Sequence, residues 1–166
     1  MDKLWAPWRY KYIKDTVSAK NDKCIFCELL SENNDKENFI IYRGKKAYIM
    51  LNRYPYNNGH VMVIPYGHFS EMSELSDEEM LEIMKLLDLS VKVLKSKFSS
   101  DGFNIGINLG RTAGAGIDDH IHFHVVPRWN GDTNFMPVIG GTKIISQSLK
   151  ESWEILKKGF VELDNK

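Results

Sequence analysis

The chain of 166 residues has little cysteine, little proline and no net charge: two Cys, five Pro, and 22 Lys and Arg against 22 Asp and Glu. It also lacks any apolar run near the ~18 residues that a membrane-crossing helix needs, which argues against a membrane protein. Cys24 and Cys27 stand too close in sequence for a disulfide that would stabilise much. They read as metal ligands or a redox couple in a reducing compartment. A nucleic-acid binder needs a basic face to release counterions, and the balanced charge gives no support for one. The first ten residues, MDKLWAPWRY, lack the apolar core of a signal peptide, so a cytoplasmic location is expected. What remains is ordinary: 43% hydrophobic and 27% charged residues describe a globular domain, neither disordered nor collagen-like. The length fits one domain, with a core that needs no staples.

Short strands and two longer helices alternate along the chain. An arm rich in aromatics (Trp5, Trp8, Tyr10, Tyr12) fills residues 1–20, and a polar loop covers 31–38. FIIYR (39–43) and AYIMLN (47–52) read as strands around Gly44, and HVMVIP (60–65), almost wholly apolar, reads as a central strand after the turn Asn57-Asn58-Gly59. Ser76 and Glu79 form a capping box. Behind it Met80, Ile83, Met84, Leu87, Val91, Leu94 and Phe98 repeat at helical spacing. FNIGIN (103–108) alternates, with Asn104, Gly106 and Asn108 on one face. Residues 110–119, GRTAGAGIDD, form a glycine-rich loop, HIHFHVV (120–126) is a strand, and Leu149, Trp153, Leu156 and Phe160 mark a last helix. The fold class is α+β with a mainly antiparallel sheet.

Three of the five histidines, His120, His122 and His124, alternate within five residues. On a strand their rings share one face about 6–7 Å apart, while Ile121, Phe123 and Val125 turn to the core. Three rings in a row are costly to bury without partners. A metal site explains them, because His-x-His aims two rings at one zinc. So does nucleophilic catalysis, because neutral imidazole attacks well near pH 7. The loop Gly110-Arg111-Thr112-Ala113-Gly114-Ala115-Gly116 has the makings of an anion cradle, with backbone N–H groups laid open by glycine and charge from Arg111. Beside three histidines it favours phosphate chemistry.

The run His120-Ile121-His122-Phe123-His124-Val125-Val126 resembles the histidine-triad (HIT) family at all seven positions of His-φ-His-φ-His-φ-φ, where φ is apolar. Asn52, Gly59-His60-Val61 and Asn108 ahead of the glycine-rich loop extend the likeness over about residues 24–128. The segments 4–9 and 126–135 resemble the diadenosine tetraphosphate phosphorylase-like subgroup. The resemblance implies one two-layer HIT domain over 1–166, with an N-terminal arm (1–23), a core (24–128) and a C-terminal extension (129–166). It implies a homodimer whose sheets join. By position His122 is the nucleophile on an α-phosphate, His124 contacts phosphate and helps the leaving group, and Asn52, His60 and Asn108 lie near ribose and phosphate. With Arg111, Gly114 and Gly116 they are the expected substrate contacts. Inorganic phosphate or water is the expected acceptor. The resemblance also offers Cys24, Cys27, His68 and His120 as ligands of a structural zinc.

Two features depart from the family. The loop is one residue longer before the triad, and it carries Asp118 and Asp119, which repel an anion unless one points away or orients a histidine. The third triad residue is histidine, unlike the glutamine of the uridylyltransferase branch. Read without the family, Cys24 and Cys27 stay open between a redox pair, two inert buried thiols and a metal site. Trp5, Trp8, Trp129 and Trp153 read as packing residues before base-stacking ones. Arg9, Arg128 and Lys143 are candidates for phosphate contacts by charge alone. The leading expectation is a nucleotidyl-transferring enzyme that phosphorolyses diadenosine tetraphosphate to ATP and ADP. A hydrolase of dinucleotides or nucleoside phosphoramidates is the nearest rival. A nucleotide-binding signalling protein and a zinc-dependent interaction module are the rivals from another class.

Overall fold

The computed structural model describes residues 24–132, 139 and 145–164. The aromatic arm with Trp5, Trp8 and Arg9, and also Lys143, fall outside the described residues.

Helix α1 (Ile25–Ser31) leads into strands β1 (Ile40–Arg43), β2 (Ala47–Leu51) and β3 (Val61–Pro65). The long helix α2 (Asp77–Phe98) follows, then β4 (Gly102–Ile107), β5 (Phe123–Arg128) and α3 (Leu149–Asp164). The sheet runs β1-β2-β3-β5-β4, with every neighbouring pair antiparallel. This is the expected α+β architecture, with β3 at its centre.

Every residue of β2 and β3 is buried, because both sheet faces are covered. On one face Ala47, Ile49, Leu51, Val61 and Val63 pack with Ile83, Leu87 and Leu94 of α2 and Leu156 and Phe160 of α3. On the other, Tyr48, Met50, Met62 and Ile64 pack with Phe26 and Leu29 of α1. The α1 face is the one on which the histidines lie.

Helix α2 begins where the capping box says. The Ser76 amide donates to the Glu79 carboxylate at 2.9 Å, and the Glu79 amide donates to Ser76 Oγ at 3.3 Å. Its buried stripe is Ile83, Leu86, Leu87, Ser90, Val93 and Leu94. Met84, expected in that stripe, is 62% exposed. The stripe is turned because α3 crosses α2 at Gly159, where an added Cβ would lie 2.8 Å from Val93 Cγ1. Close helix crossing buries Val93 and leaves Met84 outside.

The triad strand is the larger correction. β5 begins at Phe123, so His120 and His122 precede the ladder. Opposite them β3 ends at Pro65, which has no N–H to donate. The Ile121 amide instead donates to the Phe69 carbonyl at 2.6 Å. Alternation survives the loss of pairing: Ile121, Phe123 and Val125 enter the helix-side core. His120, His122 and His124 are all buried, and the His122 and His124 ring centroids are 4.9 Å apart, closer than expected.

Candidate active site

One peptide group orients His122. Its Nδ1 lies 2.9 Å from the His120 carbonyl oxygen. A carbonyl only accepts, so Nδ1 carries the proton and Nε2 keeps its lone pair. Burial holds its pKa below the usual histidine value, which keeps the ring neutral near pH 7. Phe26 of α1 backs it, with ring centroids 5.1 Å apart.

A longer chain orients His124. The β2–β3 connection starts with an Asx turn, in which the Tyr54 amide donates to Asn52 Oδ1 at 2.8 Å. The Tyr56 amide then donates to His60 Nδ1 at 3.1 Å, and Asn52 Nδ2 approaches the same nitrogen at 3.4 Å. His60 Nδ1 is therefore the acceptor, and Nε2 carries the proton. That Nε2 lies 3.0 Å from His124 Nδ1 and donates to it. His124 in turn carries its proton on Nε2. Burial, with His124 and His122 nearby, pushes the His60 pKa well below the ordinary value, so it serves as a neutral relay. Two neighbouring rings thus present opposite characters: a lone pair on His122 and an N–H on His124. That is the pairing that attack on phosphorus with stabilisation of a leaving oxygen needs.

β4 shapes the space beside them. Gly106 pairs with His124 and Asn104 with Val126, so Asn104, Gly106 and Asn108 share the histidine face as expected. A Cβ on Gly106 would meet nothing within 4 Å.

In the glycine-rich loop, Gly110 and Gly114 adopt φ of +76° and +95°, which glycine permits without strain. The amides of Ala113, Gly114 and Ala115 donate within the loop, to Gly110, Arg111 and Gly110 carbonyls. They therefore turn inward. Arg111 Nε donates to Asp118 Oδ2 at 2.8 Å, and this pairing lowers the Asp118 carboxyl. One of the two carboxylates that stood against an anion site is thus neutralised locally. Asp119 lies close enough to His120 for its charge to favour the protonated ring, against the larger effect of burial.

Two expectations by charge or ring type resolve elsewhere. Arg128 spends its guanidinium on Asp132, at 2.6 and 2.9 Å, and on Asn104 Oδ1 at 2.9 Å. It lies four residues along β5 from His124, about 13 Å, so it is not a triad contact. Trp129 Nε1 donates to the Phe98 carbonyl and Trp153 Nε1 to the Ile40 carbonyl, which makes both packing residues. A polar cavity of about 440 Å³ beyond the end of β5, lined by Asn57, Phe98, Trp129 and Asp132 among others, holds no histidine.

The second cluster sits on the other side of Phe26. Cys24 is the N-cap of α1 and Cys27 its third residue. Their sulfurs lie 3.2 and 3.6 Å from His120 Nδ1, and Cys27 Sγ lies 3.6 Å from His68 Nδ1. One ligand atom from each of Cys24, Cys27, His68 and His120 falls within 4.8 Å of all the others. A tetrahedral zinc with bonds of about 2.0–2.3 Å has ligand–ligand edges of roughly 3.3–3.8 Å, and the separations of 3.2 and 3.6 Å are of that size. The tautomer fits too. His120 Nε2 donates to the Pro65 carbonyl at 3.1 Å, which leaves Nδ1 unprotonated toward the sulfurs. Burial pushes the Cys24 thiol up to about 11, so a cation entering here displaces a proton.

A family model described as HIT domain matches residues 33–131. The chain belongs to the HIT domain family. This HIT chain is 40% identical to an AP-4-A phosphorylase of Mycobacterium tuberculosis, over 94% of its own length and 83% of that protein. It is 26% identical to an adenosine 5'-monophosphoramidase of Candida albicans, over 89% of its length and 97% of that protein. Among solved structures, a Zn-bound histidine triad family protein from Mycobacterium smegmatis superposes with a TM-score of 0.71 at 27% identity, covering 86% of this chain and 96% of that one.

Two features of this site were absent from the sequence reading. Helix α1 is seven residues long and has no side-chain cap, so its start carries no capping signal, and Phe26 between the cysteines passed without notice. Tyr56, whose amide sets the His60 tautomer, lies just before the turn Asn57-Asn58-Gly59 and carries no signal of its own in the sequence.

Proposed function

We propose that this HIT chain is a nucleotidyl-transferring enzyme that phosphorolyses diadenosine tetraphosphate to ATP and ADP through a nucleotidyl-histidine intermediate. The observation that carries the substrate class is the 40% identity to an AP-4-A phosphorylase across nearly the whole chain. The paired histidines supply the chemistry. His122 Nε2 attacks the α-phosphorus, forming a P–N bond as the P–O bond to the nucleoside triphosphate breaks. The departing oxygen receives the hydrogen bond of His124 Nε2–H, and the His120 carbonyl holds the charge gathering on the His122 ring. Asn52, His60, Asn108, Arg111, Gly114 and Gly116 are the remaining candidates for binding or orienting the nucleotide. Asn52 and His60 act at least in part through His124, to which they are linked.

Zinc held by Cys24, Cys27, His68 and His120 is the second part of the reading, supported by the fit of the four donors. It supplies no reacting group and ties α1 to the segment that carries His122. A homodimer joined through β4 is the third. β4 is an edge strand, and Ile105 on it and Leu109 two residues past its end are 50% and 46% exposed. Both thiols are unbridged, which fits a reducing, cytoplasmic setting. No described helix is long and apolar enough to cross a membrane. We read residues 1–166 as one HIT domain with short additions, because α3 shares a core with α2 and the sheet.

The test is product chromatography on purified protein given diadenosine tetraphosphate, with and without inorganic phosphate. ATP plus ADP, with ADP dependent on phosphate, is the expected result. ATP plus AMP regardless of phosphate makes it a hydrolase. The monophosphoramidase relative favours phosphoramidates as the next substrates if the dinucleotide is not turned over at all.

A further inference from the structure

The two half-reactions place different demands on the acceptor. When hydrogen phosphate attacks the nucleotidyl-histidine, its oxygen forms a P–O bond, the P–Nε2 bond breaks and the electron pair returns to His122. Hydrogen phosphate arrives as an anion and needs no base. Water must lose a proton as it attacks. A site that transfers to phosphate therefore gains by restricting water at His124 and by offering a hydrogen bond to a second anion.

Tyr56 stands where both can be done. Its ring centroid lies 4.6 Å from that of His60 and 5.7 Å from that of His124, tilted 42° and 36° to them. It is the one tyrosine, phenylalanine or tryptophan ring packed on that pair among the described residues. The residue is 42% exposed, although its ring lies against two buried histidines. Its amide is committed to His60 Nδ1, which fixes the backbone that carries the ring. Its hydroxyl has no hydrogen-bond partner among the described residues. Neither packing nor backbone geometry asks for a phenol there: a phenyl ring would cover the pair as well.

We propose that Tyr56 selects the acceptor, its ring walling water from the His60–His124 pair and its hydroxyl donating to the incoming hydrogen phosphate. This rests on the phosphorolysis reading above. Phenylalanine and alanine at position 56 both keep the amide that sets the His60 tautomer, so these substitutions separate the wall and the hydroxyl from the relay.

The test follows ADP and AMP from diadenosine tetraphosphate over a phosphate series, in wild type, Tyr56→Phe and Tyr56→Ala. Tyr56→Phe keeps the wall and loses the donor. It is expected to raise the KM for phosphate about tenfold, the size of one hydrogen bond to a charged group, with AMP still minor at saturation. Tyr56→Ala opens the wall and is expected to raise the AMP-to-ADP ratio at saturating phosphate at least about tenfold. A merely structural role changes total turnover and leaves both the phosphate KM and the product ratio in place. Variants that stay within twofold of wild type on both readouts overturn the proposal. A wild type that yields AMP and no ADP at any phosphate concentration overturns the phosphorolysis reading itself, and phosphate selection by Tyr56 with it.

Discussion

His120 and His122 are two residues apart, both buried, and packed on the same phenylalanine, yet their rings are set in opposite ways. His120 gives its Nε2 proton to Pro65 and keeps an Nδ1 lone pair for two sulfurs. His122 gives its Nδ1 proton to the His120 carbonyl and keeps an Nε2 lone pair for the cleft. Which ring nitrogen meets a carbonyl decides which one keeps the lone pair, and so suits one ring to the ligand role and the other to the nucleophile role proposed above. The two clusters also share a peptide group: the residue whose side chain faces the thiols carries the carbonyl that orients His122. The proposed metal site and the proposed active site are thus separate in chemistry and joined in geometry.

The hardest test of this division is His122→Ala. It is expected to lower nucleotide transfer by on the order of 10³-fold or more, with zinc content unchanged. Single-turnover kinetics and metal analysis check both, and substantial residual transfer would move the nucleophile elsewhere. Cys24→Ser attacks from the other side. Zinc per chain is expected to fall to near zero and the melting temperature by roughly 5–15 °C, while turnover falls only through the loosened His120 carbonyl, by about tenfold. If melting and metal content both match wild type, Cys24 is not a metal ligand.

His60→Gln sharpens the comparison, since the amide can still donate to His124 Nδ1 while His60→Ala cannot. A loss of about 10–100-fold in turnover for alanine, largely restored by glutamine, is expected from steady-state assays. The same residue predicts a pH dependence. Its folded pKa lies below the unfolded value of about 6.5, so the unfolded chain binds the extra proton between the two. The stability from keeping it neutral is complete above about pH 6.5 and is lost as pH falls toward the folded value. Denaturant midpoints should drop from pH 7.5 to 5.5 in wild type and drop less in His60→Gln. The smallest effect belongs to Arg111→Ala. Its partner Asp118 is the nearest charge and the guanidinium is exposed, so melting should not change, and KM for the dinucleotide should rise only a few-fold, roughly threefold.

Much of this was legible along the chain. Periodicity placed the five strands and both long helices within one to three residues, because burial on one face writes itself into the spacing of apolar residues. The alternation of His120, His122 and His124 told which face they share even though the ladder begins only at Phe123. Errors came where a neighbour decides. Met84 and Val93 both suit a helix stripe, and only the crossing of α3 at Gly159 chooses between them. Arg128 suits a phosphate by charge, but Asp132, four residues on, holds it. His68 joined the metal set through the family resemblance alone, since nothing local distinguishes it.

The sequence by itself determined the inventory: three alternating histidines, a Cys-x-x-Cys pair, a glycine-rich loop, and an α+β order of elements that brings them to one sheet face. Those are properties of local spacing, and chain geometry converts spacing to direction without outside help. Only the tertiary structure decided the state of each ring. Pro65 reaches His120 from 55 residues away, His60 reaches His124 from 64, and Tyr56, in the connection before β3, covers His60 and His124. A tautomer is set by whichever donor or acceptor sits at each nitrogen, and in a buried site those partners come from strands that folding alone makes neighbours.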